Sequence, residues 1–202
     1  MLGSAFPCVK VDLQSGFVVI RAPFDETQLL IVPTTPIPGI ESPMLLHSDL
    51  PHFWSFAWNE RYRVEAAAGS RLASDDIGLA VNSQPGRTQD QLHIHVDCID
   101  PRLRRALADK PNAISARWSM LDLRPWASNY RVKSVAADEL EQNLFRTVAD
   151  EIPGAETQMA LQSIAVIGLP DGNSEKQRIA ILVNSEGRMA EELLDHTCSI
   201  AH

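Results

Sequence analysis

Cysteine is scarce: Cys8, Cys98 and Cys198 are the only three in 202 residues. They are too few and too scattered for a disulfide-dense scaffold or for a zinc cluster with paired ligands. Cys8 and Cys198 lie near opposite termini, which often approach each other in compact domains. A Cys8–Cys198 staple is therefore the pairing expected in an oxidising compartment, with three reduced thiols as the alternative. Positive charge is also short, with 18 Lys and Arg against 26 Asp and Glu and a net charge of −8. That balance argues against nucleic-acid binding by phosphate neutralisation, while leaving room for a local basic pocket around one phosphate. Long apolar runs are missing too. Stretches such as Phe17–Ile20 and Leu29–Val32 fall far below the roughly 18 residues of a membrane span. The opening Met1-Leu2-Gly3-Ser4 lacks the basic-then-apolar pattern of a signal peptide. As written, the chain reads as a soluble acidic protein. Its 45% hydrophobic content supports a continuous core, and its length suits a single domain over residues 1–202.

The pattern along the chain predicts short strands joined by turns, with helices inserted. Phe17–Ile20 and Gln28–Val32 read as strands, followed by an extended loop carrying Pro33, Pro36, Pro38 and Pro43. Helical spacing covers Phe53 to about Ala68, with Asp49 or Pro51 to open it and Gly69 to close it. Strands follow at Ile77–Val81 and Gln91–Ile99, then a helix from Pro101 to about Asp109. Ile114–Leu121 and Tyr130–Val135 look extended, and Asp138–Glu151 carries an amphipathic stripe of Leu140, Leu144, Phe145 and Val148. Gln162–Leu169 and Gln177–Asn184 pair across Pro170-Asp171-Gly172-Asn173, before a closing helix over about Arg188–Asp195. The sum is an α+β fold around an antiparallel sheet.

One segment stands apart from ordinary core patterning. In Gln91-Leu92-His93-Ile94-His95-Val96-Asp97-Cys98, strand alternation sends Leu92, Ile94, Val96 and Cys98 to a core face and Gln91, His93, His95 and Asp97 to the other. Two imidazoles thus sit in a polar row directly over a core. Upstream, a Gly/Pro turn supplies Asn82, Ser83, Arg87, Thr88 and Gln89, whose amides, hydroxyls and guanidinium could face the same spot. Such a cluster suits a phosphate. A neutral imidazole is a competent nucleophile at phosphorus when its other nitrogen is held protonated, and its neighbours then stabilise charge on the non-bridging oxygens. No metal or cofactor is needed for that chemistry. A solvent-facing polar strand is the alternative for a bare His-x-His; the adjoining turn favours chemistry.

Leu92-His93-Ile94-His95 resembles the strand signature of the histidine-triad (HIT) superfamily. Together with Asn82-Ser83, Gly86-Arg87-Thr88-Gln89 and Cys98-Ile99, it is similar to the CDP-diacylglycerol pyrophosphatase family. The likeness extends to Pro7-Cys8, Gly16-Phe17-Val18-Val19, Glu41-Ser42-Pro43, Phe53-Trp54, Ser115-Ala116-Arg117-Trp118 and Asp195-His196-Thr197-Cys198, nearly the whole chain. The resemblance implies a HIT-like antiparallel sheet flanked by helices, in a single hydrolase domain. It implies hydrolysis of CDP-diacylglycerol to CMP and phosphatidate, with His93 as nucleophile through a cytidylyl-histidine and His95 on the phosphate oxygens or on proton movement. Asn82, Arg87, Thr88, Gln89 and Gln91 become the substrate-binding candidates. The expected partner is a phospholipid nucleotide, with contact to a membrane surface. For location the resemblance implies a bacterial inner-membrane enzyme facing the periplasm, although the chain as written carries neither signal nor anchor. Two departures stand out. Gln91 occupies the first triad position, where it can exchange hydrogen bonds but cannot carry a proton, and Asp97 replaces an apolar residue.

Three other readings compete. A cupin-like metal site would use His93, His95 and Asp97 or Asp100, but the only later histidines are His196 and His202. A binding module could keep the pocket and lose turnover through Gln91. A relative acting on soluble dinucleotides is the third. Phe53, Trp54, Phe56 and Trp58 read as core before lipid surface. Trp118 and Trp126 are core or loop anchors, or else line a lipid pocket. His47 and His52 read as exposed and His196 as structural. Glu139, Glu141, Glu191 and Glu192 read as solvated helix faces.

Overall fold

A computed structural model describes residues 7–23, 25–170 and 176–202. Its frame is one antiparallel sheet. In chain order the strands are β1 (Cys8–Asp12), β2 (Phe17–Arg21), β3 (Leu29–Pro33), β4 (Ile77–Val81), β5 (Ile94–Ile99), β6 (Ser119–Leu123), β7 (Ala127–Ala136), β8 (Ser163–Gly168), β9 (Arg178–Asn184) and β10 (Leu194–Asp195). They lie side by side as β1-β2-β3-β5-β4-β8-β9-β7-β6, with the two-residue β10 beside the end of β5. Every pairing is antiparallel. Among the described residues the α-helices are α1 (Phe53–Asn59), α2 (Tyr62–Ala68), α3 (Pro101–Ala108) and α4 (Leu144–Glu151). The architecture is α+β, as the pattern of short strands and inserted helices predicts.

The central strands β4, β5 and β8 are buried on both faces; β4 and β8 accordingly lack clean polar alternation, while β5 sets His95 and Asp97 between apolar neighbours. On one face Ile94, Val96, Leu79, Val81, Ile164 and Val166 meet α1 and α4, where the Trp54 and Phe145 rings pack 5.4 Å apart. On the other, Ala80, Ile99, Ala165 and Ile167 meet Leu103 and Leu107 of α3 and the 3₁₀ turn Ala190–Leu193. The α3 start follows its sequence signals. Pro101 sits in the first turn and the Asp100 side chain accepts the Arg102 amide.

Several expectations are corrected. The single helix over 53–68 is two, because Glu60 at the end of α1 turns inward to accept Lys10 and Arg63 at 2.6 Å each; Gly69 closes α2 at φ +65° as predicted. The stripe of Leu140, Leu144, Phe145 and Val148 is buried, yet it belongs to a 3₁₀ turn (Ala137–Glu141) and α4, separated where Asn143 caps the Arg146 amide. The extended reading of Ile114–Leu121 becomes a strand only from Ser119. The closing helix is the 3₁₀ turn Ala190–Leu193 running into β10. The turn residues 171–173 lie outside the described residues. Trp54 and Trp58 are core, while the indole N–H groups of Trp118 and Trp126 bind Glu151 Oε2 and the Glu192 carbonyl, so both anchor the surface. Among the described residues no helix is long and apolar enough to cross a membrane.

The cysteine pairing is corrected as well. The disulfide joins Cys98 to Cys198, and Cys8 is free. Strand β10 lies along β5 with Leu194 opposite Ile99 and Asp195 opposite Cys98, which brings the Cα atoms of Cys98 and Cys198 to 5.1 Å. Proximity of the termini in sequence terms was no guide, because the C-terminal segment returns to the middle of the sheet.

Candidate active site

His93 is the last residue before β5. The strand does not begin at Gln91, because the Leu92 amide bonds the Ile37 carbonyl of the proline-rich loop at 2.6 Å instead of a neighbouring strand. The turn this makes brings His93 Nδ1 to 2.7 Å from the carbonyl of Gln91. A carbonyl only accepts, so Nδ1 carries a proton, and in the neutral ring the lone pair is then on Nε2. His93 shares a small cavity with Gly39, Ile40, Val81, Asn82, Arg87, Gln91 and Leu92.

His95, one pleat deeper, meets the His93 ring edge to face with centroids 4.7 Å apart. It is 4% exposed. Burial pushes its pKa down to about 3, with nearby Glu191 opposing and His93 and His196 assisting. His95 is therefore neutral at physiological pH. Its Nδ1 lies 3.2 Å from Glu191 Oε1 but off hydrogen-bond geometry, and neither ring nitrogen has a hydrogen-bond partner among the described residues.

Glu191 is the hub of this buried polar layer. Asn82 donates to its Oε2 at 3.0 Å and accepts the Glu191 amide at 3.0 Å. Gln28 donates to its Oε1 at 3.2 Å, and His196 Nε2 stands 3.4 Å from the same oxygen. Burial opposes ionisation, yet His196, His95, Asn82 and Gln28 outweigh it and hold Glu191 down at about 2. The other face of His196 donates from Nδ1 to Asp97 Oδ2 at 2.9 Å. Asp97 is fully buried and also accepts from Thr27 Oγ1 at 2.7 Å and from the Cys98 amide at 2.8 Å. Burial alone would discharge His196, but Asp97 and Glu191 on either side raise it to about 10. Burial raises Asp97 against its hydrogen bonds. The result is a line of groups, Asp97–His196–Glu191–His95, ending against His93.

The structure brings some of the expected residues together and not others. His93, Asn82, Arg87 and Gln91 line one cavity, with His95 against His93. Arg87 is not free: Nη1 meets Glu41 Oε2 at 2.5 Å, and Nη2 meets Asp90 Oδ1 at 2.8 Å. The Glu41 bond leads in raising its pKa. Gly39 lies beneath this guanidinium, where a Cβ would collide with it. Thr88 and Gln89 are exposed on the outer loop and do not join the cavity. The Gln91 side chain leaves the histidine row, donating to the Pro33 and Thr35 carbonyls at 3.2 and 3.3 Å; only its backbone serves His93. Glu191 is no solvated helix face, and His196 belongs to the layer behind the histidines. Glu191 has no local sequence signal; His196 falls in the Asp195-His196-Thr197-Cys198 landmark, with Asp97 beside Cys98 on the other side of the disulfide. That juxtaposition is readable only once the pairing is known.

Comparison with known proteins places the chain in a family. The CDP-diacylglycerol pyrophosphatase family model matches residues 1–202. The chain belongs to that family. A curated relative from Yersinia pestis, described as CDP-diacylglycerol pyrophosphatase, is 40% identical over 199 residues, covering 96% of this chain and 76% of the relative. The protein is accordingly a hydrolase of the CDP-diacylglycerol pyrophosphatase type, as its sequence resemblance implies.

Proposed function

We propose that the protein is a HIT-like hydrolase that cleaves the pyrophosphate of CDP-diacylglycerol in two displacements at the cytidylyl phosphorus, releasing phosphatidate and then CMP. The observation that carries the reading is the Nδ1–carbonyl bond of His93, which in the neutral ring puts the lone pair on Nε2 and fixes its direction. In the first step the Nε2 lone pair forms an N–P bond as the P–O bond to phosphatidate breaks, and phosphatidate departs with the bonding electrons. In the second, water attacks the phosphorus, the N–P bond breaks and its electrons return to Nε2. The proton lost by water passes to solvent, and His95, held neutral by burial, is the candidate to hold a phosphoryl oxygen beside His93.

Negative charge on the phosphoryl oxygens needs donors. Arg87 supplies them by exchanging its outer partner Asp90, 87% exposed, for phosphate, while Glu41 keeps the guanidinium in place. Asn82 and Gln91 border the same cavity, and the exposed Thr88 and Gln89 are left to contact outlying parts of the substrate. The phospholipid moiety would reach the site from a membrane surface or a detergent micelle.

The test is CMP release from CDP-diacylglycerol in detergent with EDTA present, combined with acid-quench trapping of cytidine-labelled protein. Wild type is expected to release CMP and to carry a transient acid-labile label, and His93→Ala to do neither. CMP release by correctly folded His93→Ala would overturn the mechanism.

A further inference from the structure

A second cavity, larger than the one at His93, lies elsewhere in the fold. At the opposite end of β5, on the face covered by α3, a cavity of about 530 Å³ opens between α3, the end of β8 and the start of β9. Its volume falls within the roughly 300–1,000 Å³ of small-molecule sites. Its wall is mostly apolar, with Ile99, Leu107, Ile114 and Leu169 among its residues. Cations gather at this apolar cavity in a chain of net charge −8: among the described residues Arg104, Arg105 and Arg178 line it, with the carboxylate of Asp75. Arg104 is committed to that carboxylate and to Asp76, at 2.9 and 3.2 Å. Arg178 gives Nη2 to Ser134 Oγ at 2.6 Å, and its other side-chain N–H groups have no partner among the described residues. Arg105 is exposed on α3 with no protein partner among the described residues. Two guanidiniums are thus available above an apolar cavity.

We propose that this cavity is a binding site for an acyl chain capped by an anionic head, the chain lying against Ile99, Leu107, Ile114 and Leu169 and the head held by Arg105 and Arg178. Apolar contact supplies most of the binding, and a carboxylate or phosphate suits the planar donor fork of arginine. The site is separate from the histidines. Its lining shares no residue with the His93 cavity, and side chains of Ile99, Ile167 and Leu194 close over Gly78 at the level of Asp97, its partner on β5. The inference therefore stands whether or not His93 is the nucleophile.

The experiment uses the full, disulfide-intact chain and the fluorescent fatty acid cis-parinarate, kept below its critical micelle concentration. Displacement is measured with oleate, with oleoyl lysophosphatidate and with uncharged monoolein. Saturable binding is expected, with both anionic competitors stronger than monoolein; the better of the two identifies the preferred head. Arg105→Gln with Arg178→Gln should weaken the anionic competitors by about tenfold or more, as expected for a lost charge-assisted hydrogen bond, and leave monoolein unchanged. Ala108→Phe, which fills the cavity from the exposed end of α3, should abolish all three while CMP release persists. Non-saturable uptake, uptake only above the micelle concentration, equal competition by monoolein, or binding that survives Ala108→Phe would each overturn the proposal.

Discussion

Replacing His196 with Asn tests the buried charge line most directly. Asparagine can still offer an N–H toward Asp97, so the substitution removes the charge while retaining a donor. The wild-type bond is 2.9 Å to a fully buried carboxylate. A hydrogen bond to a charged group contributes about 1.5–3 kcal/mol; asparagine keeps part of it and loses the ionic attraction to Asp97 and Glu191, so the expected cost at pH 7 is about 1–2 kcal/mol. For a chain of this size that lowers Tm by about 2–8 °C. The pH dependence is the sharper part. Asp97 and Glu191 raise His196 from 6.5 to about 10. Its contribution is therefore complete below pH 6.5 and is lost as pH rises through about 10. Urea unfolding of the oxidised protein at pH 7, 8.5 and 10.5 should show the wild type converging on His196→Asn, whose alkaline limb is nearly flat. A gap of constant size from pH 7 to 10.5 would refute the protonated imidazole, and with it the arrangement of the layer behind His95.

The acid side has the opposite sign. Glu191 is lowered from 4.5 to about 2 and His95 from 6.5 to about 3, so the native state binds fewer protons than the unfolded chain and stability falls with pH below about 6.5. Urea midpoints should drop steadily down to pH 3, and Glu191→Gln should flatten the limb below pH 4.5. Reduction of Cys98–Cys198, a link spanning 100 residues, should cost about 2–5 kcal/mol; Cys98→Ser with Cys198→Ser should match it in urea unfolding, while Cys8→Ser leaves the midpoint unchanged. Gln91→Ala loses the bonds to Pro33 and Thr35 and should lower stability by about 1 kcal/mol. Because His93 is held by a backbone carbonyl, CMP release should persist in that variant; its complete loss in folded protein would assign the side chain a direct part.

Residues Leu92 to His95 show how far local pattern reaches. Alternation correctly separates Ile94, Val96 and Cys98 from His95 and Asp97, and the resemblance carried by Asn82, Arg87 and the two histidines leads to the family that comparison bears out. Strands β4, β8 and β9 and helix α3 fall close to their predicted limits, because continuous β-branched runs and an Asp-Pro cap are local signals. The sequence by itself therefore determined the α+β class, the family and the pair of histidines. Only the tertiary structure decided what stands behind them. A two-residue strand at 194–195, too short to have a pattern, lies beside Cys98 and carries Glu191, His196 and Cys198 into the centre of the sheet. A Glu and a His near a chain end look like surface groups by composition. Whether they are surface or interior depends on long-range pairing, and here both are half-buried between Asp97 and His95, where His196 Nε2 stands 3.4 Å from Glu191 Oε1.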